Sequence, residues 1–141
     1  MPDPDLDAAY IDTDYRVDDG PFGPFVIRIG EMSIAADRLL AQHGQSEWAF
    51  MTACNPGSAQ IAPQENARRM AELQAVCRSR GWPHYAGAGV GRDGSWPPEP
   101  SFLVVGIREP EAIAVARQFG QNAIVAGRIG EPCRLVWVAQ L

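Results

Sequence analysis

Trp48-Ala49-Phe50-Met51-Thr52-Ala53-Cys54-Asn55-Pro56-Gly57-Ser58 is the stretch on which the fold turns. From Trp48 to Cys54 it is apolar on both faces apart from Thr52, the pattern of a central strand covered on both sides. Asn55-Pro56-Gly57 then breaks the strand. A little further on, Pro63 fits the first turn of the longest helix, residues 63–80. Glu65 suits the amino-terminal end of its dipole, and Arg78 and Arg80 suit the carboxyl end before Gly81. Met70, Leu73 and Cys77 set the apolar face of that helix. One turn back from Met70 lies Asn66, on the core side near the helix start, with Arg69 at the edge of the same face.

Outward from this pair, Phe25 to Ile29 alternates enough for a first strand. Ser33 caps a helix over residues 34–42. Residues 83–90 read as a short strand weakened by glycine. The stretch Gly91 to Pro100 is too rich in Pro and Gly to be regular and carries Trp96 and Glu99. A strand over 102–105, a helix from Pro110 to Gln118, and strands over 123–126 and 135–138 complete the chain. The expectation is an α+β domain with a mixed sheet of about five or six strands and three α-helices. Residues 1–20 read as an acidic arm partly packed on that domain, which spans residues 21–141.

Composition bounds the function. A chain of 141 residues, 46% hydrophobic, suits one core. No run approaches the roughly 18 apolar residues that span a bilayer. The start, Met-Pro-Asp-Pro-Asp, is acidic where a secretory signal is basic and then apolar, so a soluble cytoplasmic protein without a membrane partner is expected. Every one of the twelve basic residues is arginine, which removes Schiff-base and P-loop lysine chemistry. The first 19 residues hold seven aspartates against Arg16, and the remaining ten acids meet eleven arginines. The body is nearly neutral, so nucleic acid is not an expected partner. Cys54, Cys77 and Cys133 form no ligand-spaced pair, and His43 and His84 have no Cys or His at ligand spacing, so neither a metal nor a cofactor is expected.

The chemistry lies in uncharged polar residues set against apolar segments: Thr52, Asn55, Asn66, Gln121 and Asn122. An amide or hydroxyl buried without a partner costs about 1–3 kcal/mol, so these groups need partners in the fold or a ligand. Glu99, between Trp96 and Phe102, is the one carboxylate whose surroundings suit a general acid or base. The structural alternative is an ion pair with Arg69 or Arg108. Gly89-Val-Gly91-Arg-Asp-Gly94 matches a dinucleotide fingerprint by letter, but Ser95-Trp-Pro-Pro follows where a helix is required.

Five segments in order, Ala9-Tyr-x-x-Thr-x-Tyr15, Phe50-Met-Thr-Ala-Cys-Asn-Pro56, Glu65-Asn-x-x-Arg69, Trp96 with Glu99-Pro-Ser-Phe102, and Phe119-Gly-Gln-Asn-Ala-Ile-Val125, resemble the bacterial domain-of-unknown-function family 3293. The resemblance implies a small bacterial protein. It also makes Tyr10, Thr13 and Tyr15 part of the domain pattern, and it brings no function with it.

Two readings follow. In the first, Thr52, Asn55, Asn66, Arg69, Trp96, Gln121 and Asn122 line a cleft for a small polar or nucleotide-like molecule. Its enzymatic version makes Glu99 the catalytic acid or base and Arg69 the binder of anionic charge. In the second, the amides are structural, and the acidic arm or the Trp82 and Trp96 region meets a protein partner.

Overall fold

The computed structural model describes residues 4–94 and 96–138. The ends of the expected arm and domain (residues 1–3 and 139–141) and Ser95 lie outside them. Within the described residues the chain forms helices α1 (Pro4–Ile11), α2 (Ile34–His43), α3 (Pro63–Arg80) and α4 (Glu109–Gln118). The strands are β1 (Thr13–Val17), β2 (Phe25–Ile27), β3 (Glu47–Met51), β4 (His84–Gly91), β5 (Glu99–Val105), β6 (Ala123–Arg128) and β7 (Arg134–Trp137). The architecture is α+β, with four helices and seven strands where three and five or six were expected. The additions, α1 and β1, both come from the acidic head of the chain. Bounds also shift, most of them by one or two residues: β3 ends at Met51 rather than Cys54, β2 at Ile27 rather than Ile29, β6 at Arg128 rather than Ala126, and β5 begins at Glu99, inside the stretch read as irregular.

The strands lie in the order β2-β1-β4-β5-β3-β6-β7, and every neighbouring pair is antiparallel. The expected mixed sheet is therefore corrected. Helices α3 and α4 do connect strands that run the same way, but an antiparallel strand stands between the two in each case: β5 between β3 and β4, and β3 between β5 and β6. A strand-helix-strand order alone does not reveal that insertion.

Both faces of the sheet are covered. Met70, Leu73 and Cys77 of α3 and Ala112, Val115 and Ala116 of α4 pack against Ala49, Met51, Val104 and Ile124. On the other face Ala36, Leu39 and Leu40 of α2 pack against Trp48, Phe50, Leu103, Val105 and Val125. Because side chains alternate along a strand, Glu99 and Ser101 share the face of Leu103 and Val105, and Thr52 follows Trp48 and Phe50 on theirs. Helix α2 has only ten residues, about 15 Å at 1.5 Å per residue. It covers one end of this face and leaves the other, where Glu99 lies, for α1.

Strand β4 carries glycine at 87, 89 and 91, all on that same face. A Cβ at Gly87 would sit 1.9 Å from the Arg16 carbonyl oxygen, so only glycine lets β1 close on β4 at this point. At Gly89 the nearest atom would be Thr13 Cγ2 at 3.6 Å, an ordinary contact. Gly87→Ala is expected to lower stability by about 1–3 kcal/mol through forced backbone displacement, and Gly89→Ala to change it little. Chemical denaturation of the two variants checks the pair; equal effects would contradict the close approach of β1 and β4.

Candidate functional site

Asn55 follows the central strand in a left-handed backbone conformation, φ 49°, which a non-glycine residue adopts only when its surroundings impose it. Asn66, one turn inside α3, supplies part of that constraint. The Asn55 backbone N–H donates to Asn66 Oδ1 at 2.9 Å, and Asn66 Nδ2 donates back to Asn55 Oδ1 at 2.9 Å. The Ile61 N–H donates to the same Oδ1 at 3.2 Å. The Asn55 amide is thereby fixed with its nitrogen outward, and Nδ2 donates to Glu99 Oε2 at 2.8 Å. The partner of Glu99 is thus an amide, not the arginine of the expected ion pair. Arg108 bonds Glu111.

Glu99 faces a cavity of about 410 Å³ between the open end of the sheet and α1. Its inner wall is buried: Tyr15, Phe50, Asn55, Ser101, Gln121, Ala123 and Val125. Tyr10 and Ser58 line it as well. Ser58 accepts from Asn122 Nδ2 at 2.9 Å and is the other described non-glycine residue with positive φ, 62°. Exposed Asp5, Asp12, Asp93 and Trp96 form the rim. Gly89 and Gly91 line the β4 side, where the missing side chains leave room. Helix α1 is held at its carboxyl end. Thr13 Oγ1 donates to the Ala9 carbonyl and the Tyr15 hydroxyl to the Tyr10 carbonyl, each at 2.6 Å, and the Tyr10 ring meets Trp137 edge-on at 5.6 Å.

Of the residues singled out from sequence, Thr52, Asn55, Trp96, Glu99 and Gln121 line this cavity, whereas Asn66, Arg69 and Asn122 are not among its lining residues. Arg69 lies behind the wall: Nε donates to the Ala53 carbonyl at 2.6 Å, a terminal nitrogen donates to the Phe119 carbonyl, and the guanidinium lies 5.9 Å from the Phe119 ring centre. Gln121 Nε2 donates to the Cys54 and Phe119 carbonyls at 2.9 and 3.2 Å. Together Arg69 and Gln121 tie the ends of β3 and α4 together. Thr52 Oγ1 donates to the Pro100 carbonyl at 2.7 Å and accepts from the Cys54 N–H at 3.0 Å. Sequence reasoning missed Tyr10, Ser58, Ser101, Gly89 and Gly91. For Ser101 the signal was alternation with Leu103, and for the glycines it was their spacing of two along one strand.

Burial pushes the Glu99 carboxyl above the ordinary carboxylate value, partly offset by the Asn55 N–H that favours its charged form. Burial likewise raises Tyr10 and Cys54. His84 bonds the Trp82 carbonyl and Gln74, not the Cys54 thiol. No three His, Cys, Asp or Glu side chains converge as a metal site requires among the described residues. None of the described helices is long and apolar enough to cross a membrane.

The chain belongs to the DUF3293 family, a protein of unknown function, whose model matches residues 51–124, just over half of the chain. The matched segment runs from the last residue of β3 to the start of β6 and so contains Asn55, Asn66, Glu99 and Gln121. No curated protein and no solved structure matches the chain.

Asn66→Ala removes an acceptor from one Asn55 N–H and a donor from its side chain without touching the cavity. It is expected to lower unfolding free energy by about 1–3 kcal/mol, and Asn66→Asp, which keeps the acceptor but sets a second oxygen against Asn55 Oδ1, to lower it as well. Urea denaturation checks this. A loss within error for Asn66→Ala would show that Asn55 is held by something else.

Proposed function

We propose that this DUF3293 member binds a small polar molecule in the cavity beneath α1, with the Glu99 carboxylate and its Asn55 partner as the polar contact. Trp96, Tyr10, Tyr15 and Phe50 serve as the apolar walls. The observation that carries the reading is a carboxylate kept partly desolvated, yet oriented by an amide that is itself fixed on both sides. A carboxylate needed only for structure would gain more from an arginine or from solvent. Asn55 and Ser58, both lining the cavity, are also the described non-glycine residues with left-handed backbone, and strain of this kind gathers at functional sites. In a catalytic version Glu99 is the proton-transferring group, since a raised carboxyl pKa lies nearer the working pH.

The protein-interaction reading, placed from sequence at the acidic arm or the Trp82 and Trp96 region, gains a further candidate surface. Met32, Ile34 and Ile129 are exposed large apolar residues. Their segments are joined by the Gly130 N–H to Asp37 and the Cys133 N–H to the Glu31 carbonyl.

A thermal-shift screen of nucleosides, nucleotides, sugars, amino acids and amines separates the two. A ligand at about a hundred times its Kd adds roughly 2.7 kcal/mol to stability. The expected result is a shift in the wild type that Gly89→Leu, which fills the cavity from β4, abolishes while the fold is kept. Silence across the library, or a hit indifferent to Gly89→Leu, would contradict the ligand-cavity reading and favour the apolar end.

A further inference from the structure

We infer that the cavity takes a neutral or cationic molecule presenting adjacent N–H donors, a guanidinium, an amidine or the N1–H and amino edge of guanine, and rejects phosphorylated ligands. The inference rests on the ligand-cavity reading and narrows it.

The first support is a census of donors. The Thr52 hydroxyl donates to the Pro100 carbonyl, Ser101 to the Glu99 carbonyl, Thr13 to the Ala9 carbonyl and Tyr15 to the Tyr10 carbonyl. Gln121 directs its amide nitrogen to two backbone carbonyls, so the polar capacity it has left is that of its acceptor oxygen. An ionised Glu99 accepts only, and one N–H from Asn55 leaves most of its lone-pair sites for a ligand. With these donors turned into the fold, and the Tyr10 and Ser58 hydroxyls able to accept as well as donate, the wall chiefly asks its ligand to bring donors. A planar N–H pair matches a carboxylate edge in the way a guanidinium does.

Charge is the second support. Asp5, Asp12, Asp93 and Glu99 line the cavity, and no arginine, lysine or histidine is among its described lining residues. The guanidinium groups nearby in sequence are engaged elsewhere: Arg69 with the Ala53 and Phe119 carbonyls, Arg92 with Asp14. Among the described lining residues a phosphate would meet carboxylates and no cationic side chain. Among the described residues the carboxylates do not converge as a metal ion requires, and Trp96, Tyr10, Tyr15 and Phe50 offer aromatic surface that suits a spread organic cation.

The test is calorimetry on the wild type with agmatine, benzamidine, acetamidine and guanosine, the nucleoside beside its 5′-monophosphate, with glucose and glutamate as controls lacking the donor pair or carrying negative charge. The expected result is that at least one of the first four binds. Its monophosphate, where it has one, should bind at least tenfold more weakly, and Glu99→Gln should weaken the hit at least tenfold while melting as a folded protein. If Glu99→Gln does not fold, Gly89→Leu takes its place as the blocking variant. A monophosphate or glutamate bound as tightly as, or more tightly than, any donor compound, and blocked by Gly89→Leu, would overturn the donor assignment while leaving the ligand cavity standing. Glucose as the sole hit would do the same. No binding by any of the set would count against both.

Discussion

The reciprocal hydrogen bonds between Asn55 and Asn66 are the constraint on which the site depends. The chain leaves the sheet at Met51 and must turn within a few residues into the loop before α3, and it does so with Asn55 in a left-handed conformation that costs energy. The exchange of one side-chain and one backbone bond with Asn66 offsets that cost and uses up the acceptor oxygen of Asn55, together with the Ile61 N–H. What remains is the amide nitrogen, and it points at Glu99. A loop conformation, a helix position and the orientation of a carboxylate on another strand are thus linked through two asparagine side chains.

The space in front of Glu99 has an equally simple origin. Helix α2 is too short to cover its whole face of the sheet, and β4 offers hydrogen atoms where side chains would otherwise fill the gap. A sheet face left bare in this way would expose Phe50 and Val125. Helix α1, anchored through Thr13, Tyr15 and Tyr10, lies across it and leaves a cavity between. None of the described residues of α1 is itself buried, so the helix acts as a roof with little core of its own.

Much of this was legible in the chain and some was not. Helix α3 was readable to its bounds because Pro63, the Met70-Leu73-Cys77 spacing and Gly81 agree with one another, and the apolar run at Trp48 marked a strand flanked on both sides. The polar residues next to those runs were legible as a group. Their division was not: Asn66, Arg69 and Asn122 hold the wall, while Asn55, Glu99 and Gln121 face the cavity, and that distinction depends on which strand lies beside which. Helix α1 and strand β1 escaped notice because aspartates dominate residues 3–19 and α1 has no amphipathic pattern, although Tyr10, Thr13 and Tyr15 already marked the segment as part of the domain. The strand order was hidden because contacts between β3 and β5, or β1 and β4, are made far apart in sequence.

The ionisation of Glu99 tests the account most directly, because burial against the sheet and support by Asn55 act on it in opposite directions. A carbon-13 NMR titration of its side-chain carboxyl in the folded protein is expected to show a midpoint above the ordinary glutamate value of 4.5. In Asn55→Ala, which removes the N–H that favours the charged form, the midpoint should rise further. A midpoint at or below the ordinary value, unmoved by Asn55→Ala, would mean that the carboxylate is solvated and unsupported, and the site described here would not exist.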